Sequence, residues 1–271
     1  MSKSTKYLPN EFKAFNDIFQ CLSRRYGYYY VFEDFLDLYI NAWCFDYQFN
    51  RELIQNRYKL EERQQFTLMM YEVIKILDKE IQSDSDWYDF FGTYYEMASL
   101  SKQKGFAQFF TPMPICNFMA QIVAPQKTET FSDPCCGSGR FSLASNAVSL
   151  GSFHFLVDLD FACAKMATLN LMHHGIHGIV IADNGLFPGN DFKGAFVVNR
   201  KLNKTGIPQI EYIDNVKQAY NYVRYTINPF DMVRDLFPRK NNTQKASQKA
   251  DDNYEDIKEI LNNKTGQFSM F

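Results

Sequence analysis

Three apolar runs in the middle of this sequence each end on an aspartate: FSD at Asp133, FHFLVD at Asp158 and GIVIAD at Asp183. A carboxylate at the end of a strand can accept hydrogen bonds from both hydroxyls of a ribose. It can equally accept one from the amino group of a base. Directly after the first run comes Pro134-Cys135-Cys136-Gly137-Ser138-Gly139. Glycine has no Cβ, so a Gly-x-Gly turn leading into a helix lets backbone N–H groups come close to a ligand. Two adjacent cysteines raise thiol or metal chemistry as a rival. The six cysteines form no C-x-x-C pair, however, and none has a His at zinc-finger spacing. The arrangement therefore reads as a backbone cradle for a nucleotide-like ligand, with Asp158 on the ribose and Asp183 facing an adenine amino group. Each residue also has a plainer use. Gly-x-Gly is also a tight turn, the acid at Asp158 could cap the next helix unless Asp160 does so, and Asp183-Asn184-Gly185 is turn sequence.

These residues need elements to place them. Short apolar strands ending at Asp133, FHFLVDL, GIVIAD and GAFVVN alternate with turns and with the helical FACAKMATLNLMHH. This rhythm predicts a parallel, doubly wound α/β sheet, which binds ligands beyond the carboxyl ends of its strands. Before it, Thr111-Pro112 reads as a helix start, with Thr as N-cap and Pro at the first helical position. The helix that follows carries Ile115, Phe118, Met119, Ile122 and Val123 on one face. The first hundred residues have apolar residues at helical spacing, no Pro after Pro9 and almost no Gly, so they predict a helical N-terminal domain over 1–104. The α/β part then spans 105–237. IEYIDNVKQAYNYVRYTI is expected to give a strand, a helix and another strand. The polar RKNNTQKASQKADDN opens a linker and terminal peptide over 238–271.

Composition excludes several classes. The 271 residues carry a formal net charge of −2, so the whole molecule is not a basic nucleic-acid binder of the histone kind. The 17 Tyr and 26 Phe, many in the first third, are expected to pack between helices. MSKSTKYLPN lacks the apolar core of a signal peptide, and no apolar run approaches the ~18 residues of a membrane span. The expectation is a cytoplasmic, reduced protein without a membrane or metal partner.

QFFTP (Gln108–Pro112), DPCCGSGRF (Asp133–Phe141), the VDLD strand end and ADNGL (Ala182–Leu186) resemble the adenine-N6 DNA methyltransferases, most of all the modification subunits of type I restriction systems. YYEMASL just before the first motif fits as well. The resemblance covers Trp87 to Asn199, with Ala107 standing where the family usually has Gly. It implies a Rossmann-like methyltransferase fold behind an N-terminal helical domain, with S-adenosylmethionine as cofactor and DNA as partner, reached directly or through a specificity subunit. By position, Phe110, Thr111 and Pro112 would border the methionine portion. Asp133, Cys135, Gly137 and Gly139 would form the cradle, Asp158 would hold the ribose, and Asp183 with Asn184 would face the adenine. Cys136 falls on a small packing residue.

The same resemblance implies Asn/Asp-Pro-Pro-aromatic after the fourth strand, to orient the adenine amino group and stack on a base flipped out of the duplex. Here Asn199 stands at the first position, as the catalytic candidate, but Arg200-Lys201-Leu202 replace the rest. Ile227-Asn228-Pro229-Phe230 is a second candidate, with an ordinary turn as its plainer reading. After Asn199 the family needs three more strands, and the residues before the linker do not provide them. The sheet is expected to be abridged, or completed by a partner. Gln267-Phe268-Ser269-Met270-Phe271 resembles the peptide by which bacterial proteins bind the sliding clamp. Two functions stay open: an adenine-N6 DNA methyltransferase of a restriction-modification system, or a relative that binds cofactor, DNA or partners without methylating.

Overall fold

The structure, a computed structural model, describes residues 9–44, 46–47, 51–83, 86–98, 100, 109–123 and 129–236. Gln108, the polar stretch from Arg239 and the terminal peptide Gln267–Phe271 lie outside them. Residues through Val216 form one compact unit and those from Lys217 a second.

The first unit opens with helices α1 (Lys13–Tyr26), α2 (Tyr28–Trp43), α3 (Arg51–Arg57), α4 (Leu60–Ser83) and α5 (Phe90–Met97). Gly27, at φ +90°, breaks what would otherwise be one long helix into α1 and α2. Their core is aromatic. The Phe15 ring lies 4.7 Å from Tyr94, 5.1 Å from Phe90 and 5.4 Å from Phe35, all edge-on. The expectation that the Tyr and Phe of this region pack between helices holds for these residues.

Helix α6 (Met113–Val123) leads to β1 (Thr130–Asp133), α7 (Arg140–Val148), β2 (Phe153–Asp158), α8 (Phe161–His173) and β3 (Gly178–Ala182). β4 (Gly194–Val198), α9 (Leu202–Thr205) and β5 (Ile210–Ile213) complete the unit. The sheet order is β1-β2-β3-β4-β5. Leu156, Val180, Phe196 and Val198 face α8 and join the helical core, while Val157, Ile179, Ile181 and Val197 are buried on the opposite face. α8 also packs against α2 and α5, and one buried contact there is ionic. Lys165, 1% exposed, places Nζ 3.1 Å from Glu33 and 2.5 Å from Asp37. Burial pulls its pKa down, but the two carboxylates outweigh that and hold it above the ordinary lysine value.

Three expectations need correction. β1, β2 and β3 are parallel, but β4 runs antiparallel to β3, and β5 antiparallel to β4. The Rossmann-like part is thus abridged to β1–β3, and the sheet is not doubly wound. The connection from Asp183 to Lys193 contains Gly185, Pro188 and Gly189 and forms no helix. Without a crossover helix the chain cannot return to start a parallel strand, so it turns back on itself. Second, Ile115, Phe118, Ile122 and Val123 of α6 are exposed, and the helix is anchored instead by the small Cys116 and Ala120. Third, YVRYTI is no strand. It is the second half of α10 (Val216–Ile227), followed by α11 (Pro229–Leu236).

In the second unit Arg224 pairs with Asp231 at 2.8 Å and Asp235 at 2.9 Å, tying α10 to α11. Among the described residues no helix is long and apolar enough to cross a membrane, and no group of His, Cys, Asp or Glu could hold a metal ion.

Candidate functional site

At the carboxyl ends of β1 and β2 lies a cavity of about 560 Å³. Its lining includes Phe110, Thr111, Asp133, Cys135, Gly137, Arg140 and Asp158. The size is ordinary for a cofactor pocket, which spans roughly 300–1,000 Å³. Asp158 is the better organised of the two carboxylates. One carboxylate oxygen accepts Gly137 N–H at 2.8 Å and the other accepts Asp160 N–H at 2.8 Å. Each oxygen keeps further lone-pair capacity toward the cavity. Asp160, not Asp158, caps α8, accepting Ala162 N–H at 3.0 Å. The plainer use of Asp158 is therefore taken up by its neighbour.

Burial raises the Asp158 pKa above the usual aspartate value. The two N–H donors oppose the rise, and the carboxylates of Asp160 and Asp133 add to it. Asp133 is likewise raised by burial, against the pull of Cys135 N–H, which it accepts at 3.1 Å. Both cysteines of the turn are free thiols. Burial lifts the Cys136 pKa well above the ordinary value, and the exposed Cys135 is raised by burial and by the carboxylates of Asp158 and Asp133. Neither is disposed to form a thiolate, so neither has the character of a nucleophile.

The two glycines serve different ends. Gly137, at φ +55°, lines the cavity, and a Cβ there would come 2.7 Å from Cδ1 of Phe110. Gly139, in the left-handed region at the mouth of α7, does not line it. Its missing Cβ makes room for Ala167 of α8, which a Cβ would approach to 3.2 Å. Gly139 thus lets α7 and α8 pack closely. Pro112 is also outside the lining. Its carbonyl receives Ile115 and Cys116 N–H, so α6 starts one residue later than the Thr-Pro pattern predicts.

Asp183 and Asn184 are likewise outside that lining. Asp183 is fully buried, and its carboxylate accepts N–H from Asn184 (2.7 Å), Gly189 (2.6 Å) and Asp191 (3.0 Å). Asn184 donates to Asp191 and accepts from Leu186 and Phe187. Both side chains fold the 184–191 loop instead of reaching the cavity. Asn199 departs furthest. β4 is antiparallel, and Val198 pairs with Gly178, the first residue of β3. Asn199 therefore lies at the opposite end of the sheet from Asp158. There its amide donates to the carbonyls of Leu171 and Met172 in the last turn of α8 and of Ile176 just past it. Asn228 precedes Pro229 at the start of α11, with its carbonyl receiving Asp231 N–H, which is a helix start.

Sequence reasoning missed a buried network beneath the cradle. Asp89, wholly inaccessible, accepts Gly92 N–H (2.8 Å) and Asn170 Nδ2–H (2.7 Å) on one oxygen. On the other it accepts Ser138 Oγ–H (2.6 Å) and Arg140 Nε–H (2.8 Å). A Cβ on Gly92 would collide with Asp89 and Ser138, so the first turn of α5 rests directly on the Gly-Ser-Gly turn. The available signal was Asp89 directly before the apolar Phe90-Phe91, an N-cap pattern.

No solved structure matches the chain. The family described as N-6 DNA Methylase matches residues 85–201, a stretch that opens just before Asp89 and closes just after Asn199. That stretch, which holds the cavity at the ends of β1 and β2 and the α5 turn beneath it, is similar to the N-6 DNA methylase family.

Proposed function

We propose that this chain binds S-adenosylmethionine in the cavity at the ends of β1 and β2 and serves adenine-N6 methylation of DNA, as the modification subunit of a restriction-modification system. The observation that carries the reading is Asp158. Its carboxylate is held by two backbone N–H groups and retains acceptor capacity toward a cavity of nucleoside size. Asp158 would take the ribose hydroxyls, and Gly137 would let the ligand approach the turn. Phe110 and Thr111 would close the pocket over the rest of it, with Asp133 and Cys135 along its wall. S-adenosylmethionine supplies, when bound, a methyl group on an electrophilic sulfonium.

An exocyclic adenine nitrogen is a poor nucleophile and needs acceptors to orient its hydrogens. The position of Asn199 favours a second reading for this half of the reaction. The chain holds the donor, and residues outside β4, its own or a partner's, present the base. The terminal peptide Gln267–Phe271 would add a tether to the sliding clamp. Calorimetry with S-adenosylmethionine tests the first half, with saturable one-site binding expected and its absence refuting the assignment. Tritiated methyl transfer to unmethylated DNA tests the second. Very low transfer by the chain alone is expected, and robust N6-methyladenine formation would show that it presents the base unaided.

A further inference from the structure

The roof of the cavity is held by a side chain to which no role has been given. Arg140, at the start of α7, is 5% exposed and makes four contacts. Nε donates to Asp89 at 2.8 Å, Nη2 to Glu96 at 3.0 Å and Nη1 to the Thr111 carbonyl at 3.1 Å, and the guanidinium lies 5.6 Å from the centre of the Phe110 ring. Burial alone would lower its pKa, but the carboxylates of Asp89 and Glu96 outweigh that, so it stays charged. The second oxygen of Glu96 accepts the backbone N–H of Phe110 at 2.9 Å. Phe110 is thus gripped by its backbone and its ring face, with its edge against Gly137.

We infer that Glu96 and Arg140 are positioning residues that set the height of Phe110 over the methyl-donor cavity, so that α5 is a working part of the site. This rests on the proposed S-adenosylmethionine reading. Three observations favour it over simple structural support. Asp89 already ties α5 to the turn without Glu96, through Ser138 and through Asn170, which also donates to the Ser138 carbonyl. Glu96 is 31% exposed at its side chain, and apart from Arg140 its bond is to Phe110. Arg140 spreads three separate nitrogens over two carboxylates and the Thr111 carbonyl, so its link to Glu96 is separate from its link to Asp89.

The test is a double-mutant cycle on S-adenosylmethionine affinity by calorimetry, using Glu96→Gln, Phe110→Leu and both together, with thermal melts of each. Glu96→Gln is expected to weaken binding about tenfold, because one of its two donors then meets an NH2 group. In the Phe110→Leu background the same change is expected to have less than a twofold effect, since the residue acts through the ring. Equal losses in both backgrounds would overturn the inference, as would unchanged affinity in Glu96→Gln. Should Glu96→Gln fail to fold, Glu96→Asp, which keeps the charge but draws it back by one methylene, goes through the same cycle under the same criteria. Absence of binding by the unaltered protein would refute the donor reading itself, a separate result.

Discussion

Asn199→Ala separates the antiparallel placement of β4 from a catalytic role for its last residue. The amide offers two hydrogens to the carbonyls of Leu171 (3.1 Å), Met172 (3.2 Å) and Ile176 (3.2 Å), and its oxygen accepts Gln209 N–H at 3.2 Å. Truncation removes two donated bonds and one accepted bond at a site only 3% exposed. At about 1 kcal/mol net for each, the loss is about 3 kcal/mol. Asn199 also sits at φ +56°, where asparagine is tolerated and alanine costs about 1 kcal/mol more. The sum, about 4 kcal/mol, corresponds to a fall in Tm of roughly 8–16 °C for a unit of this size. Scanning calorimetry measures the shift, and titration with S-adenosylmethionine should show affinity unchanged within about twofold, because the residue is at the far end of the sheet. Asn199→Asp sharpens the comparison. An acceptor-holding residue tolerates aspartate, whereas here a carboxylate would face three carbonyls and destabilise at least as much as alanine. A variant that melts with the unaltered protein while losing methyl transfer would refute this reasoning and return Asn199 to the reaction.

Asp158→Asn should weaken S-adenosylmethionine binding roughly 10- to 150-fold, the equivalent of one lost charge-assisted interaction of about 1.5–3 kcal/mol, and an unchanged Kd would count against the ribose assignment. Binding by Asp158 needs its ionised form, and its pKa is raised by burial. Affinity should therefore be level above that raised pKa and fall by up to about tenfold per pH unit below it, beginning at a higher pH than the ~3.9 of a free aspartate. A profile that stays flat into the ordinary aspartate range would contradict this. Gly92→Ala, which in an exposed helix would stabilise by up to about 1 kcal/mol, should instead destabilise by about 1–3 kcal/mol in urea unfolding, because its Cβ collides with Asp89 and Ser138. A gain in stability there would mean that α5 does not rest on the turn. Gly137→Asp should abolish donor binding in calorimetry, since a side chain and a charge would enter against Phe110.

The strands were legible because each is a short apolar run closed by a polar residue, and Asp160 could be separated from Asp158 by counting to the helix start. Direction was not legible in the same way. All five residues of β3 and all five of β4 are buried, and a fully buried run reads the same whether it pairs parallel or antiparallel. The clue lay in the linker: Asp183 to Lys193 is too rich in Gly and Pro to hold a crossover helix. An acid at a strand end suits a ligand and a turn equally, and the three backbone donors on Asp183 are visible only in the fold. The apolar stripe of α6 misled because periodicity shows that a face is apolar, not that anything covers it. Asp89 and Glu96 escaped notice because their partners lie more than forty residues and about fourteen residues away, across a sequence change that looked like a boundary.

That boundary bears on how the molecule can be divided. A fragment beginning at Gly105 would keep every strand and both turn glycines, yet it would strip the carboxylate of Asp89 from Ser138, Arg140 and Asn170. Arg140 would remain as a buried cation without either of its counter-ions, a situation that costs several kcal/mol. The smallest piece that could be transplanted into another protein with its pocket intact therefore begins before Asp89, and carries one helix of the N-terminal body with it.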